Sequence, residues 1–380
     1  MLAVFAALLA AIAIVQTLAG WALTARFARR KRRVPINRPP VTILKPLYGD
    51  EPLLDAALST VCTLGYPEYQ VVFGVHSADD TAVPVIRRLQ SRFPGRDLTL
   101  VVNPTAHGPN LKVSNLVNML PAARHEILVI ADSDLHVRPD YLDHLVAALE
   151  QPATGLATTL YAGFPASSRL SALLGATQIT HTFLPGALLS RALGRQDCLG
   201  ATMALRGALL RRIGGFEALV PHLADDNALG RLVRATGLAV RLAGTVPLTT
   251  VPEDTFRALF RHELRWARTI RALVPGQFAA SCLQYPIFWG LVTLILAPAW
   301  GWIVIAAAWF TRIASAQGVN RALSRLGVVP ATPLPPWLLP LRELMSVGVM
   351  VASFTGLRVD WRGHTMTADG PAQSQETSAP

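Results

Sequence analysis

Apolar residues follow two rhythms along this chain: long uncharged runs, and short β-branched runs that alternate with segments whose apolar positions recur every three or four residues. The first long run, Leu2 to Thr24, carries no charge and is long enough to cross a hydrocarbon core of ~30 Å. A second covers residues 284–311 and is interrupted by Pro298, a pattern that fits either one tilted span or a short hairpin. The third, 335–357, holds Arg342 and Glu343 near its start and therefore reads as an interfacial or charge-paired segment.

Between these runs, strands are expected at 41–47 (VTILKPL), 70–75 (QVVFGV), 98–102 (LTLVV), 126–131 (EILVIA) and 155–161 (GLATTLY). LLDAALSTVCTL and YLDHLVAALE place apolar residues at helical spacing between them. The alternation predicts an α/β fold with a mostly parallel sheet flanked by helices, which gathers ligands beyond the carboxyl ends of its strands. From 166 to 250 the pattern loosens into Gly-rich turns, GRQDCLGAT and RRIGGFE, and HLADDNALGRLVRATG reads as a loop leading into a helix. Residues 255–274 form a basic amphipathic helix: Arg257, Arg261, Arg265, Arg268 and Arg271 share one face, roughly opposite Leu259, Trp266, Ile270 and Leu273. The polar tail, 365–380, is expected to be disordered. The predicted organisation is an anchor (1–25), a basic linker (26–40), the α/β domain (41–254), the amphipathic helix (255–275), two further membrane segments (284–311 and 335–357) and the tail.

Composition sharpens the membrane assignment. With 51% hydrophobic and 16% charged residues, part of the chain is expected to meet lipid. The cluster ARFARRKRR follows the first apolar run, whereas an export signal carries its positive charge in front, so the run is expected to be an uncleaved anchor. Positive flanks stay on the cytoplasmic side, which predicts a cytoplasmic-facing domain on the bacterial inner membrane. The net charge of +11 sits in arginines beside apolar runs, so anionic lipid headgroups, and no nucleic acid, are the expected partners. Cys62, Cys198 and Cys282 have neither zinc-site nor disulfide spacing and read as small packing residues.

Candidate chemistry sits at acidic loops after strands. Asp132 and Asp134, separated by Ser133, end the apolar run ILVIA, and two carboxylates that close together call for a compensating cation. Mg²⁺ or Mn²⁺ held there would keep part of its shell for substrate phosphate. Asp79 and Asp80 follow a second strand and Asp225 and Asp226 lie in a third acidic loop; each pair also suits a helix N-terminus. In RHELRWART, arginines suit phosphate and Trp266 suits stacking on a sugar, while membrane-surface binding is the competing reading of the same helix.

The order Asp80, Asp132-Ser133-Asp134, Asp226 and Arg265-Trp266 resembles the D, DxD, D, (Q/R)xxRW signature of inverting GT-A glycosyltransferases. LKPLYGDEP, GPNLKVSNL, ADSDLHV, HLADDNALG and RHELRWARTIRA look more closely like the ceramide glucosyltransferase family, glycosyltransferase family 21, and its bacterial hopanoid-biosynthesis branch. That resemblance implies donor and metal contacts at Asp80 and Asp132, a catalytic base at Asp226, and a working Arg265–Trp266 pair. Asp134 adds a second carboxylate to the metal grip. His262 stands where the signature has Gln or Arg, and Asn110, Lys112 and Asn115 are candidate donor contacts. The implied reaction moves N-acetylglucosamine from its UDP donor to a membrane lipid, a bacteriohopane polyol. Glucosyl transfer from UDP-glucose to ceramide or another lipid, the acceptor then being sphingolipid-like or diacylglycerol, is the alternative, and a non-catalytic membrane-surface protein the remote one.

Overall fold

The computed structural model describes residues 1–329, 335–356, 358–361 and 364–367. In chain order it begins with α1 (Leu2–Arg29), β1 (Val41–Pro46), α2 (Leu54–Cys62), β2 (Tyr69–Val75), α3 (Ala82–Arg92), β3 (Asp97–Val102), α4 (Leu111–Met119), β4 (Ile127–Ala131) and β5 (Leu135–His136). There follow α5 (Tyr141–Leu149), β6 (Thr154–Thr158), β7 (Ala162–Pro165), α6 (Leu170–Gln178), α7 (Leu184–Ala192), β8 (Thr202–Arg206), α8 (Gly207–Arg212), α9 (Asp225–Ala235), β9 (Ala239–Leu242) and β10 (Leu248–Val251). The last part holds α10 (Phe256–Leu273), α11 (Pro275–Ala280), α12 (Pro286–Leu296), α13 (Pro298–Arg325), α14 (Leu339–Ser353), β11 (Arg358–Trp361) and β12 (His364–Thr367).

These elements form two compact units. The first comprises Arg30–Ala166 and Arg191–Pro252, the second Met1–Arg29, Ser167–Ser190 and Glu253–Pro380. Residues 167–190 therefore pack with the helices, which interrupts the continuous 41–254 domain expected from the sequence.

The first unit is built on a seven-stranded sheet of order β3-β2-β1-β4-β8-β6-β9. Pairings β2–β3, β1–β2, β1–β4 and β6–β9 are parallel, while β8 runs antiparallel to both β4 and β6. Every residue of β1, β2 and β4 is buried, because helices cover both faces of such a sheet and leave no position for alternating polar side chains. Two apolar clusters result, one with Ile43, Phe73, Val129 and Tyr141, the other with Leu44, Val72, Ile130 and Leu205.

Strand β8 is one of the strands that the sequence missed, with β5, β7, β9 and β10. It lies where Gly-rich turns hid a five-residue segment, TMALR, and it finds its place through long-range pairing with β6 and β4. At the end of that pairing the chain leaves the main sheet. Asp132, Ser133 and Asp134 make the crossing, and β5 joins a second small sheet of order β5-β10-β7.

In the second unit, α1 and α13 are each long and apolar enough to cross a membrane. The pair α11–α12, bent by 63°, adds at most one more span by length and composition. The 284–311 run resolves as a hairpin, with α12 and α13 on either side of Ala297–Pro298. Glycines bring the two backbones together: a Cβ on Gly301 would lie 2.5 Å from Leu294 Cα, and one on Gly290 2.9 Å from Ile305 Cα. Arg342 and Glu343 on α14 are buried and paired, as the sequence suggested for that segment. The tail departs from its expected disorder at residues 365–367, which belong to the β11–β12 hairpin; 368–380 lie outside the described residues.

Helix α4 reaches the sheet by a close approach that the site depends on. A Cβ at Gly74 in β2 would sit 2.3 Å from Met119 Sδ and 2.4 Å from Asn115 Oδ1, so Gly74→Ala should lower stability by about 1–3 kcal/mol. Thermal unfolding of the purified protein in detergent checks this, and an unchanged midpoint would contradict the packing described.

Candidate active site

At the carboxyl end of β4 the backbone and side chains of the Asp-Ser-Asp turn are held separately. The Asp132 N–H donates to the Ala201 carbonyl at 3.1 Å, and the Asp132 carbonyl accepts from Lys45 Nζ at 2.6 Å. Ser133 Oγ donates to Glu51 Oε2 at 2.7 Å. The Asp134 carboxylate accepts the Thr249 hydroxyl, and its carbonyl accepts the Thr250 N–H at 3.1 Å. Both acidic side chains are thus aimed by strands that arrive from distant parts of the sequence.

Lys112, on the first turn of α4, places its ammonium 2.7 Å from Asp132 Oδ1 and 3.7 Å from Asp225 Oδ2. Asp225 and Asp226 open α9, where the helix dipole favours negative charge. Asp226 Oδ1 accepts its neighbour's Asn227 N–H at 2.7 Å. A Cβ on Gly200 would come within 3.0 Å of Asp226 Oδ2, so this glycine leaves space beside the carboxylate.

The electrostatics follow from an imbalance. Among the described residues, the ammonium groups of Lys45 and Lys112 lie within a cluster of carboxylates, Asp132, Asp134, Glu51, Asp225 and Asp226. Burial, then the neighbouring Asp225, pushes the Asp226 carboxyl up to about 7. Burial, then Asp132, likewise raises Asp134. Burial lowers Lys45 to about 8, against the pull of Asp134 and Asp132. For Lys112 burial also opposes charge, but Asp132 and Asp225 outweigh it and hold the ammonium pKa above its ordinary value.

A site short of positive charge suits a hard cation. Among the described residues no three His, Cys, Asp or Glu side chains form a metal cage on their own. Asp132 and Asp134 nevertheless each keep an oxygen beyond those bonded to Lys112 and Thr249, and Mg²⁺ takes one or two carboxylates with phosphate and water completing its shell.

Other residues singled out by the sequence have structural work. Asp80 Oδ1 accepts the Gly49 and Ala82 N–H groups at 2.9 and 2.8 Å, which ties the loop after β1 to the loop after β2. Asn110 caps α4 through the Val113 N–H at 3.1 Å and donates to the His222 carbonyl at 2.8 Å. Asn115, buried, donates to the Gly74 carbonyl at 2.8 Å. Lys45, Glu51 and Thr249 were not singled out as site residues, and Asp225 only as the neighbour of Asp226. Lys45 and Glu51 belong to LKPLYGDEP, a stretch quoted for resemblance alone, and Thr249 lies over a hundred positions from its partner.

His262, Arg265 and Trp266 lie on α10, in the other unit. His262 Nδ1 is hydrogen-bonded to Glu253, which is 9% exposed, and its ring meets that of Trp266 edge-on at 4.6 Å and 76°. Burial opposes ionisation of Glu253, but the bond and charge of His262 hold its carboxyl below the ordinary range.

The sheet order, with one antiparallel strand inside an otherwise parallel array and an Asp-Ser-Asp crossing at the end of β4, defines a GT-A-type glycosyltransferase fold. The sequence model of glycosyl transferase family 21 matches residues 2–372, and the chain belongs to that family. Its fold is similar to that of the mannosyltransferase PcManGT from Pyrobaculum calidifontis, solved with GDP-Man and Mn²⁺, with a TM-score of 0.51 and 22% identity over 91% of this chain and 99% of that one. Ceramide glucosyltransferase 1 of Caenorhabditis elegans is 24% identical over 67% of this chain and 54% of its own length. An N-acetylglucosaminyltransferase of Rhizobium meliloti is 24% identical over 80% and 78%. The chain spans about half the length of the ceramide glucosyltransferases of C. elegans that it matches.

Lys112→Met would leave Asp132 and Asp225 facing each other without their shared cation. The expected loss is ~2 kcal/mol, below the cost of breaking a fully buried pair because Asp132 is about a third exposed. Denaturant unfolding of wild type and variant measures it; equal stabilities would mean the ion pair compensates nothing.

Proposed function

We propose that this protein is an inverting, metal-dependent glycosyltransferase that moves a sugar from a UDP donor to a hydroxyl of a membrane lipid. The observation that carries the reading is the carboxylate cluster at the end of β4, with Asp226 half-buried beside it on α9. Asp226 acts as the base. Its raised pKa keeps it basic enough to take the acceptor hydroxyl's proton as the new bond forms at the anomeric carbon, a contribution on the order of 10²- to 10⁴-fold.

Lys112 supplies a fixed positive charge beside Asp132, where a departing nucleoside diphosphate gathers negative charge. Asp132 and Asp134 would hold Mg²⁺ or Mn²⁺, which when bound neutralises charge on the diphosphate. From α10, Arg265 contributes a guanidinium and Trp266 an aromatic face, the roles the family signature implies. Donor contacts at Asp80, Asn110, Asn115 and His262 belong to the same reading.

N-acetylglucosamine and a bacteriohopane polyol are the proposed donor sugar and acceptor. The resemblance to the hopanoid branch suggests them, and the rhizobial relative's own name is compatible with that sugar. The names of the C. elegans relatives favour glucosyl transfer to ceramide as the second reading. The apolar helices α1 and α13 suit an enzyme that takes its acceptor from a bilayer, here proposed as the bacterial inner membrane with the sheet unit on the cytoplasmic side.

Membranes given labelled UDP-N-acetylglucosamine or UDP-glucose, with hopane polyol or ceramide, should yield labelled lipid from the first pair. Label in ceramide alone would select the second reading, and label in no lipid would count against both. Asp226→Asn should abolish transfer while leaving UDP binding within a few-fold, as read by calorimetry; retained transfer moves the base elsewhere. Because the base works deprotonated, kcat/KM should fall as pH drops through about 7. Chelation should stop transfer, and added Mg²⁺ or Mn²⁺ should restore it.

A further inference from the structure

Helix α10 is held by a charge pair that its amphipathic pattern does not reveal. Glu263 accepts both arms of the Arg342 guanidinium, at 2.8 and 2.7 Å, although Arg342 on α14 is only 1% exposed. The same guanidinium donates to Ser346 Oγ at 2.9 Å, and Ser346 donates in turn to Gln178 on α6 at 3.2 Å. Next to Arg342, Glu343 accepts the Phe288 N–H at 2.8 Å and lies 3.6 Å from Arg312 on α13. Arg342 is therefore a fixed post, braced from three helices.

A bidentate guanidinium–carboxylate pair fixes direction as well as distance, because both partners are planar. Successive residues turn by ~100° around a helix, so Arg265, two residues after Glu263, points to the far side of α10. Holding Glu263 against α14 thus sets which way Arg265 faces. On that far side Glu253 packs against His262 and interacts electrostatically with Arg265, a second restraint on the same rotation.

We propose that Arg342 is a positioning residue for transfer: by gripping Glu263 it sets the rotation of α10 and hence the aim of Arg265. This rests on the reading that Arg265 takes part in the reaction. Arg342→Lys keeps the buried charge but loses the fork. In the full-length protein it should lower kcat by up to about 10²-fold with KM for the donor little changed, since a misplacement of about 1 Å is enough for such a loss. In an Arg265→Ala background the same Arg342→Lys change should cost less than ~2-fold more, because the two substitutions remove one function. Thermal unfolding in detergent separates this from misfolding, and Glu263→Met combined with Arg342→Met, which orphans no charge, should restore stability but not kcat.

Losses that multiply in the double variant, or full kcat in the folded Met–Met protein, would overturn the proposal and leave the pair a stabiliser. If Arg265→Ala transfers sugar normally, the parent reading of Arg265 fails instead. The rotation is then still tested by alkylation of Arg265→Cys, whose rate should change when Arg342→Lys is added and would stay constant if Arg342 sets nothing.

Discussion

The ammonium of Lys112 between Asp132 and Asp225 is the contact on which the sheet unit's acidic site depends. Carboxylates from the β4 end and the α9 start would repel if brought together alone, and α4 inserts the cation that allows it. Three distant stretches of chain are thereby committed to one place. The consequence is electrostatic as well as structural. Burial, and then the neighbouring carboxylates, leave Asp226 and Asp134 with raised proton affinity despite the ammonium groups of Lys112 and Lys45.

Rigidity around this site comes from backbone contacts. Lys45 spends its charge on the Asp132 carbonyl, Thr249 and Thr250 fasten Asp134 from β10, and Asn110 and Asn115 fix α4 to its surroundings. The carboxylates are aimed by neighbours hydrogen-bonded around them, which is how such a cluster holds its geometry. The helical unit shows the same economy, with Arg342 and Glu343 on adjacent positions of α14 serving α10 on one side and α12 and α13 on the other.

Membership in glycosyl transferase family 21 joins in one chain a sheet unit with clustered carboxylates and helices long and apolar enough to cross a membrane. The α10 helix, basic along one face, is tied to Arg342 of α14 through Glu263.

Local pattern alone was enough to reveal the strands that are buried over their full length, the apolar α1 helix, the α10 helix and the acidic turn after β4, because each is written in residues adjacent in the chain. β8 was illegible, since a five-residue strand among glycines is stabilised by pairing partners some seventy positions away and not by its own composition. The hairpin at Pro298 was open in the sequence and was decided by glycines that let α12 and α13 touch. The Lys112 ion pair, the Thr249 bond to Asp134 and the Glu263–Arg342 fork were likewise invisible: a charge or hydroxyl announces what it can bind, but long-range folding decides which partner stands within 3 Å of it.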